Sequence, residues 1–472
     1  MEQKGKYNAL IKDTIIFALG SLGSKLILFF LVPIYTNFLT TAEYGTAELV
    51  STFSQLIIPF VSLVINEAVI RFGMKTAIKK EDVALGAFAI LGCSTVLTLI
   101  LTPIIGLYGP ISEWKWFLCA QIILSGFREV ECAYLKVKNR NRTFALVSVI
   151  QTAVLAITNI VAITVMHLGV KGYLLANIIA PGCAALVAFF AAGLHHDLRI
   201  GRLDKKLLTQ MVVYSSPLIL NNVSWWVIHS SDKIMIETMI SLSALGIYTA
   251  ATKIPSLINV ITGIFSQAWG LSSIREVESS NDGDFYTSVF NLYSTVTIGA
   301  CIAITTIIRP FMNIYVGVDF RDAWRLTPLL LSAAVFNSIS SYFGSLYAAV
   351  ERTINNMWST IICAVTNVIL NYIFINLVGV WGAVIGTVVS YFVVAHIRML
   401  GIRKYVPIAF KINRYVANIL IMVTQSILVS LEWNIYLVSI VSVSLFGIIN
   451  WRTICEVGRM ALVKVKRNTR GN

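Results

Sequence analysis

Residues 144–193 read FALVSVIQTAVLAITNIVAITVMHLGVKGYLLANIIAPGCAALVAFFAAG and contain one charged residue, Lys171. A membrane span takes roughly 20 apolar residues, so this stretch is long enough for two spans joined at the turn HLGVKG, residues 167–172. The rest of the 472-residue chain is similar, since 57% of it is hydrophobic, only 13% is charged and the mean hydropathy is +0.78. Soluble domains carry about 25% charged residues. The chain is therefore predicted to lie mostly in a membrane.

Apolar segments separated by charge clusters recur along the whole chain. They predict an all-α integral membrane protein with about fourteen (12–14) transmembrane helices. The last two segments are the shortest, so the range begins at twelve. In chain order the segments are Lys12–Thr36, Tyr44–Phe72, Ala84–Tyr108, Trp114–Leu135, Phe144–His167, Val170–Gly193, Leu207–Thr238, Ser243–Leu271, Phe285–Ile308, Ala323–Val350, Thr353–Val378, Trp381–Leu400, Tyr415–Leu431 and Asn434–Trp451.

The lysines and arginines are distributed unequally between the two sides of this map. The N-terminus, the alternate loops and the tail on one side carry 28 of them, whereas the opposite side carries five. Because cytoplasmic loops hold the excess of Lys and Arg, both termini are predicted to be cytoplasmic in a multi-pass inner (plasma) membrane protein. The net charge of +14 is thereby explained as a topology signal, and no nucleic-acid partner is expected.

An internal repeat appears when the chain is shifted by 210 residues. Arg142-Thr143 then falls on Arg352-Thr353, and the Gly-Val-x-Gly at Gly169–Gly172 falls on Gly379–Gly382, with six identities in 31 positions. A weaker match, shifted by 201, places Gly45 on Gly246.

Both copies of the repeat begin with an odd-numbered helix, so they have the same orientation in the membrane. We therefore predict two six-helix bundles related by a pseudo-two-fold axis along the membrane normal, with the binding site between them. The predicted domains are residues 1–200 and 201–405 for the bundles, and 406–472 for two extra helices and a basic tail.

Several charges lie inside apolar segments, where each is costly and suggests a function. Lys25 has no carboxylate three or four residues away, which favours a water-filled cavity. Glu67 and Arg71 are four residues apart and can pair on one helix face, either as a neutral pair near the cytoplasmic end or as cavity residues. Arg128 lies in a similar cluster with Glu129 and Glu131, again either near the surface or in the cavity.

The seventh and eighth segments carry the most informative polar residues. Asp232 is the member of its charged cluster, which includes Lys233, that is expected to face inward. In the eighth segment, polar and small residues recur at steps of three and four and form a stripe that faces water or another helix. That stripe is Thr249, Thr252, Lys253, Ser256, Asn259, Gly263, Ser266 and Gln267.

Enzyme chemistry finds little support in the sequence. The seven cysteines are scattered without CxxC or metal spacing, and Gly20–Lys25 has the wrong spacing for a phosphate loop. We predict no catalytic residue, no metal and no cofactor.

Several short stretches resemble one transporter family. They are FALGSLGSKL at Phe17–Leu26, LVPIYTNFLTTAEYG at Leu31–Gly45, NEAVIRF at Asn66–Phe72, YSSP at Tyr214–Pro217, SDK at Ser231–Lys233, GIY at Gly246–Tyr248 and ATK at Ala251–Lys253. The chain resembles polysaccharide-exporter flippases of the multidrug/oligosaccharidyl-lipid/polysaccharide (MOP) superfamily. The resemblance implies two bundles in a V, with a cationic cavity that alternates in access. Lys25 and Lys253 match basic cavity positions of that family, and Arg71 and Arg128 are expected to join them.

The implied function is the movement of undecaprenyl-diphosphate-linked oligosaccharides from the inner to the outer leaflet. The expected partners are this lipid-linked sugar, the bilayer, and a polysaccharide polymerase with chain-length proteins. Glu67 and Asp232 are candidates for ion coupling, and Asn259, Ser256, Thr249 and Gln267 for polar contacts in the cavity. Fourteen helices also resemble the lipid II flippase branch, and a drug/cation antiporter of the same superfamily is the alternative from another class.

Overall fold

The computed structural model describes residues 23, 25–279 and 283–469, without the side chains of 267, 271, 275, 278, 279 and 456–469. The described residues form helices and no strand. In chain order they are α1 Lys25–Phe38, α2 Thr41–Ser62, α3 Ile65–Gly73, α4 Lys80–Ile105, α5 Gly109–Ser112, α6 Lys115–Val137, α7 Asn141–Asn159 with a π-helical end Ile160–Val165, α8 Gly169–Ala192, α9 Leu194–Ile200, α10 Lys205–Met239, α11 Leu242–Ser279, α12 Gly283–Tyr315, α13 Ala323–Ala349, α14 Thr353–Val378, α15 Val380–Ile402, α16 Ile412–Ser430 and α17 Ile435–Thr469.

Within the described part of the chain, ten helices are long and apolar enough to cross a membrane. An eleventh span results if α2 and α3, which meet at a bend of 46°, are one broken span. The predicted all-α membrane fold is thereby confirmed. The count of fourteen stays a prediction, because α6 carries several charges, α10 is rich in polar residues, and the first predicted segment begins outside the described residues.

The first compact unit contains the described residues up to Thr249 together with Gly317–Phe320. At its centre α6 packs on α2, α3, α4 and α8. The buried side chains at these contacts are apolar or small, which lets helices approach closely in a membrane. They include Val69 and Phe72 of α3, Val130 and Val137 of α6, and Ala184 and Ala188 of α8.

The second unit contains the remaining described residues, from Ala250 to Val316 and from Arg321 onward. Its central helix is α13, which is the most deeply buried of the apolar helices that the structure describes. An aromatic stack holds α11, α12 and α13 together, with Trp269 at 4.7 Å from Tyr342 and Phe265 at 4.3 Å from Tyr293 between ring centroids. Helices α12, α15 and α16 pack on α13.

The two Gly-Val-x-Gly turns share a positive φ at their first glycine, each within its own unit. Gly169 and Gly379 both adopt positive φ angles, +55° and +61°, which glycine accepts without steric strain. The second glycine of each turn contacts the end of the preceding helix, Gly172 against Ala162 and Gly382 against Phe374. The division into six-helix halves after residue 200 stays a prediction, since α10 and the start of α11 group with the first unit.

Helices α16 and α17 are joined to the second unit by buried polar contacts. The side-chain amides of Asn418 and Asn450 bond reciprocally, at 3.1 and 2.8 Å, and both residues are buried. Gln425 donates to the Ile302 carbonyl of α12 at 3.2 Å, and the hydroxyls of Ser426 and Ser332 are 2.9 Å apart. The last pair of helices is therefore an integral part of this unit.

Replacing Asn418 by leucine is expected to lower the free energy of unfolding by about 1–3 kcal/mol, because Oδ1 of Asn450 loses its donor while it stays buried. Thermal unfolding of purified N418L measures the loss. The double variant N418L/N450L removes both polar groups and should recover most of it. If the loss of unfolding free energy in the double variant equals the sum of the losses in the two single variants, the two residues do not act as a pair.

Candidate functional site

A polar cavity of about 430 Å³ lies inside the first unit. Its walls come from α2, α3 and α6, with single side chains from α7 and α10. The polar and charged side chains around it are Gln55, Ser62, Asn66, Glu67, Arg128, Glu129, Lys136 and Asn222. The structure thus brings two of the sequence-predicted residues, Glu67 and Arg128, to one cavity.

Arg128 has a defined position in the cavity wall. Its Nη1 donates to Oε1 of Gln151 on α7 at 2.8 Å, and its Nη2 lies 4.0 Å from a carboxylate oxygen of Glu129. Its Nε is buried and has no acceptor among the described residues. The guanidinium is therefore held in place by Gln151, and its Nε–H remains available to donate to a ligand.

The charges around this cavity balance. Two carboxylates, Glu67 and Glu129, face two basic groups, Arg128 and Lys136. The ammonium of Lys136 also lies 4.5 Å from the Phe144 ring centroid, a distance typical of a cation–π contact. The formal charges of the side chains that line this cavity therefore sum to zero.

Arg71 does not reach this cavity. Its guanidinium lies 4.3 Å from the ring centroid of Tyr214 on α10, and the side chain is exposed. The ion pair with Glu67 that the four-residue spacing allowed is not formed between these two residues. Arg71 instead stacks on Tyr214 of α10. The spacing of residues within α3 could not predict this contact, because Tyr214 lies on another helix.

Asp232 is buried in a second polar cluster of the first unit, and its place in a transport cavity stays a prediction. The Tyr248 hydroxyl donates to its Oδ2, and the Lys233 backbone N–H donates to its Oδ1 at 2.9 Å. Beside it, the Lys233 ammonium bonds to the Glu48 carboxylate at 2.5 Å, with side chains 17% and 9% exposed. Two carboxylates and one ammonium give this cluster a formal charge of −1.

Glu48 and Tyr248 were not predicted from the sequence. Glu48 is a charged residue inside an apolar segment, as Lys25 is. A search for every charged residue within the predicted segments would have found it. Tyr248 carries no signal of its own, because its role depends on α11 returning beside α10.

The polar stripe of α11 is distributed over both units. Thr249 is buried in the first unit. In the second unit Lys253 is half-buried, whereas Ser256 and Asn259 are exposed, and Asn259 accepts a bond of 3.3 Å from Asn337 of α13. The side chain of Gln267 lies outside the described residues.

Lys25 stands near the start of α1, and its side chain is exposed in the first unit. Since α1 is apolar, an exposed lysine on it requires either water or a lipid headgroup nearby.

Two polar contacts fix helix ends outside the apolar spans. Burial alone would raise the pKa of Asp197, but hydrogen bonds from Lys138 and Tyr134 outweigh it and lower that pKa. The pKa of Tyr108 is raised by burial and by its hydrogen bond to Glu237. These contacts connect α9 with the end of α6, and the end of α4 with α10. Among the described residues, no group of His, Cys, Asp or Glu side chains has the arrangement of a metal site.

Comparison with known proteins shows the family of this chain. The model of the family described as "Polysaccharide biosynthesis protein" matches residues 10–270, which is more than half of the chain. The chain belongs to this family. A search of curated proteins found no match.

Solved structures share the fold at low identity. One, entitled "Lipid II flippase MurJ, inward closed conformation", is 14% identical with a TM-score of 0.66, covering 93% of this chain and 100% of that one. An inward-facing multidrug resistance MATE family transporter of the MOP superfamily is 15% identical, with a TM-score of 0.67 over 82% and 97%. A point mutant of the Vibrio cholerae MATE transporter VcmN is 13% identical, with a TM-score of 0.58 over 84% and 97%.

This polysaccharide biosynthesis family member therefore has the fold of MOP superfamily transporters. The sequence-based expectation of this fold is confirmed, whereas the role of a transporter stays a prediction.

Proposed function

We propose that this chain moves an undecaprenyl-diphosphate-linked oligosaccharide from the inner to the outer leaflet of the cell membrane by alternating access. The observation that carries the proposal is the polar face of α11. Ser256 and Asn259 are exposed on a membrane-spanning helix, and Lys253, which lies three residues before Ser256, is half-buried. Ser256 donates to the Lys253 carbonyl at 2.6 Å and Asn259 accepts from Asn337, but both side chains keep exposed polar surface, which is costly against lipid and favourable against water or a polar ligand.

The chemistry of the substrate fits these residues. The polyprenyl chain gains about 0.8 kcal/mol for each buried CH₂, so it stays in lipid while the sugar-diphosphate crosses. Lys25 and Lys253 would offset the desolvation of the diphosphate through charge-assisted hydrogen bonds. Thr249, Ser256, Asn259 and Gln267 are of the residue types that bond sugar hydroxyls, and Arg71 and Arg128 would add positive charge.

The energy source is proposed to be the membrane potential. An inside-negative potential favours the outward movement of an anion by about 2.3 kcal/mol per charge per 100 mV. The alternative is a counter-ion that resets the carrier through Glu67, which lines the cavity of the first unit, or through buried Asp232. The product would pass to a polysaccharide polymerase and chain-length proteins at the outer face.

The experiment is a deletion of the gene, followed by extraction of lipid-linked oligosaccharides. We expect these to accumulate while surface polysaccharide falls, and the wild type to restore export. Lys25→Ala and Lys253→Ala should each reduce restored export by about 10–100-fold, the value of one charge-assisted contact. Lys404→Ala, which removes an exposed lysine after α15, is the matched control and should restore export fully.

Two alternatives have support of their own. A drug/cation antiporter is favoured by the carboxylates Glu67 and Glu129 in the cavity and by the MATE likeness. Lys253→Glu separates it from the flippase, since it should abolish oligosaccharide export but strengthen the binding of cationic drugs to an antiporter. Normal lipid-linked sugars together with greater sensitivity to toxic cations would contradict the flippase. A lipid II-type flippase is favoured by the MurJ likeness, and accumulation of lipid II in the deletion strain would select it.

A further inference from the structure

Arg398, near the end of α15, is a buried cation in the second unit, where its side chain ties three helices together. Nε donates to Ser359 Oγ at 2.8 Å, and Nη1 donates to the carbonyl and hydroxyl oxygens of Ser340 at 3.1 and 3.0 Å. Nη2 donates to the Asn356 carbonyl at 3.2 Å and to Thr360 Oγ1 at 2.7 Å. All five N–H groups are therefore satisfied, on α13 and α14. The arginine is 6% exposed.

Every one of these acceptors is a neutral oxygen. Within the described part of the chain Arg398 makes no ion pair, and Glu351, the acidic residue of the α13–α14 turn, is exposed. Hydrogen bonds to neutral groups solvate a guanidinium but leave its charge uncompensated, which is costly at low dielectric. An anion close to this position would remove that cost.

A crevice of about 310 Å³ reaches Arg398 from the surface. Tyr347 and Asn355 line it with polar groups, while Trp358 and Ile362 form an apolar wall that is 57% and 42% exposed. Since α14 is a membrane-spanning helix, these exposed apolar side chains face lipid. The crevice thus combines a cationic floor with a lipid-facing wall.

The surrounding surface is basic. Arg352 lies 5.2 Å from the Tyr405 ring centroid, Asn355 donates to the Tyr405 hydroxyl at 3.5 Å, and Arg403 and Lys404 are exposed. This end of the helices is on the side predicted to be cytoplasmic, where the leaflet carries anionic lipids and basic pockets between helices bind their headgroups.

We propose that the crevice beside Arg398 binds the phosphate of an anionic phospholipid from the cytoplasmic leaflet. The phosphate would be held by the Arg398 charge and the Asn355 amide, and an acyl chain would lie against Trp358 and Ile362. A free phosphate shares the headgroup chemistry but gains nothing from the apolar wall. This inference does not depend on the transported substrate.

The test is native mass spectrometry of the purified full chain with phosphatidylglycerol, phosphatidylcholine or inorganic phosphate added. We expect the wild type to retain phosphatidylglycerol in preference to phosphatidylcholine, and excess inorganic phosphate not to displace it. Arg398→Gln should bind phosphatidylglycerol about tenfold more weakly. Arg199→Gln removes the same charge from an exposed position in the first unit, away from the crevice, and should match the wild type.

A second variant covers the case in which Arg398→Gln does not fold. Ile362→Trp fills the crevice without touching the five hydrogen bonds of Arg398, and it should also lose phosphatidylglycerol. Equal binding of the two lipids, or wild-type affinity in both variants, would overturn the proposal. If inorganic phosphate displaces phosphatidylglycerol, the crevice binds free phosphate and the lipid proposal is wrong. Binding is measured without transport, so its failure is distinct from a failure of the proposed flippase.

Discussion

Gly45→Ala is expected to lower the melting temperature of the protein sharply and to abolish its activity in cells. A Cβ at Gly45 would overlap the carbonyl oxygen of Leu242, the first residue of α11, and would lie 3.1 Å from the backbone nitrogen of Gly246. The reverse contact is equally close, since a Cβ at Gly246 would overlap the Thr41 carbonyl oxygen. The atoms in the way belong to backbone, so no side-chain rotation relieves the clash.

Overpacking of a close contact costs about 1–3 kcal/mol, and a backbone–backbone clash should lie at or above the upper end of that range. Thermal unfolding of purified Gly45→Ala in detergent measures the loss. Gly92→Ala on α4 is the matched control, because a Cβ there meets nothing within 4 Å. Its stability should be unchanged or raised by about 0.5–1 kcal/mol, since alanine is the better helix former. Equal losses in both variants would show that α2 and α11 do not cross at these glycines.

Lys233→Met is the substitution with the second largest expected effect. It leaves the Glu48 carboxylate, 9% exposed, without the ammonium that lies 2.5 Å away in the wild type. Removing one partner of a buried ion pair costs about 3–5 kcal/mol, and the residual exposure of Lys233 places this pair at the lower end. Thermal unfolding of K233M, E48Q and the double variant gives the coupling energy between the two side chains.

The double variant E48Q/K233M should regain most of the lost stability, because neither remaining group is charged. An exposed ion pair of the second unit provides the control. Arg325 and Glu432 also form a salt bridge, but their side chains are 46% and 33% exposed. Arg325→Met should therefore cost no more than about 1 kcal/mol. A coupling energy for Glu48 and Lys233 as small as that of the exposed pair would contradict the buried-pair interpretation.

The repeat found in the sequence shows how far pattern alone can reach. The sequence comparison aligned glycines at the same two positions of each repeat, and the structure gives the reason. The first glycine of each turn, Gly169 or Gly379, adopts a positive φ, and the second, Gly172 or Gly382, contacts the preceding helix. The weak match of Gly45 to Gly246 was visible too. Sequence comparison could not reveal that these two glycines pack against each other, because a repeat aligns residues without saying which of them are neighbours.

The candidate site was predicted less completely, for a related reason. Charges in apolar segments identified Arg128 and Asp232, because the free-energy cost of such charges is a property of the residue in its own helix. Their partners, Gln151 and Tyr248, lie on other helices and carry no comparable signal. Arg71 illustrates the opposite error, since Glu67 is its neighbour on α3 but Tyr214 on α10 is its contact.

The sequence by itself determined the class of this protein, the approximate positions of the ten apolar helices that the structure describes as long enough to span a membrane, and the family to which the chain belongs. These follow from apolar length, charge and short motifs, all of which act within one segment of chain. Only the tertiary structure decided that Glu48 neutralises Lys233, that α16 and α17 belong to the second unit, and that Arg398 is buried with no carboxylate of the described residues beside it. Such pairings depend on which helices pack together, and helix packing is set by shape complementarity between distant segments that no local pattern encodes.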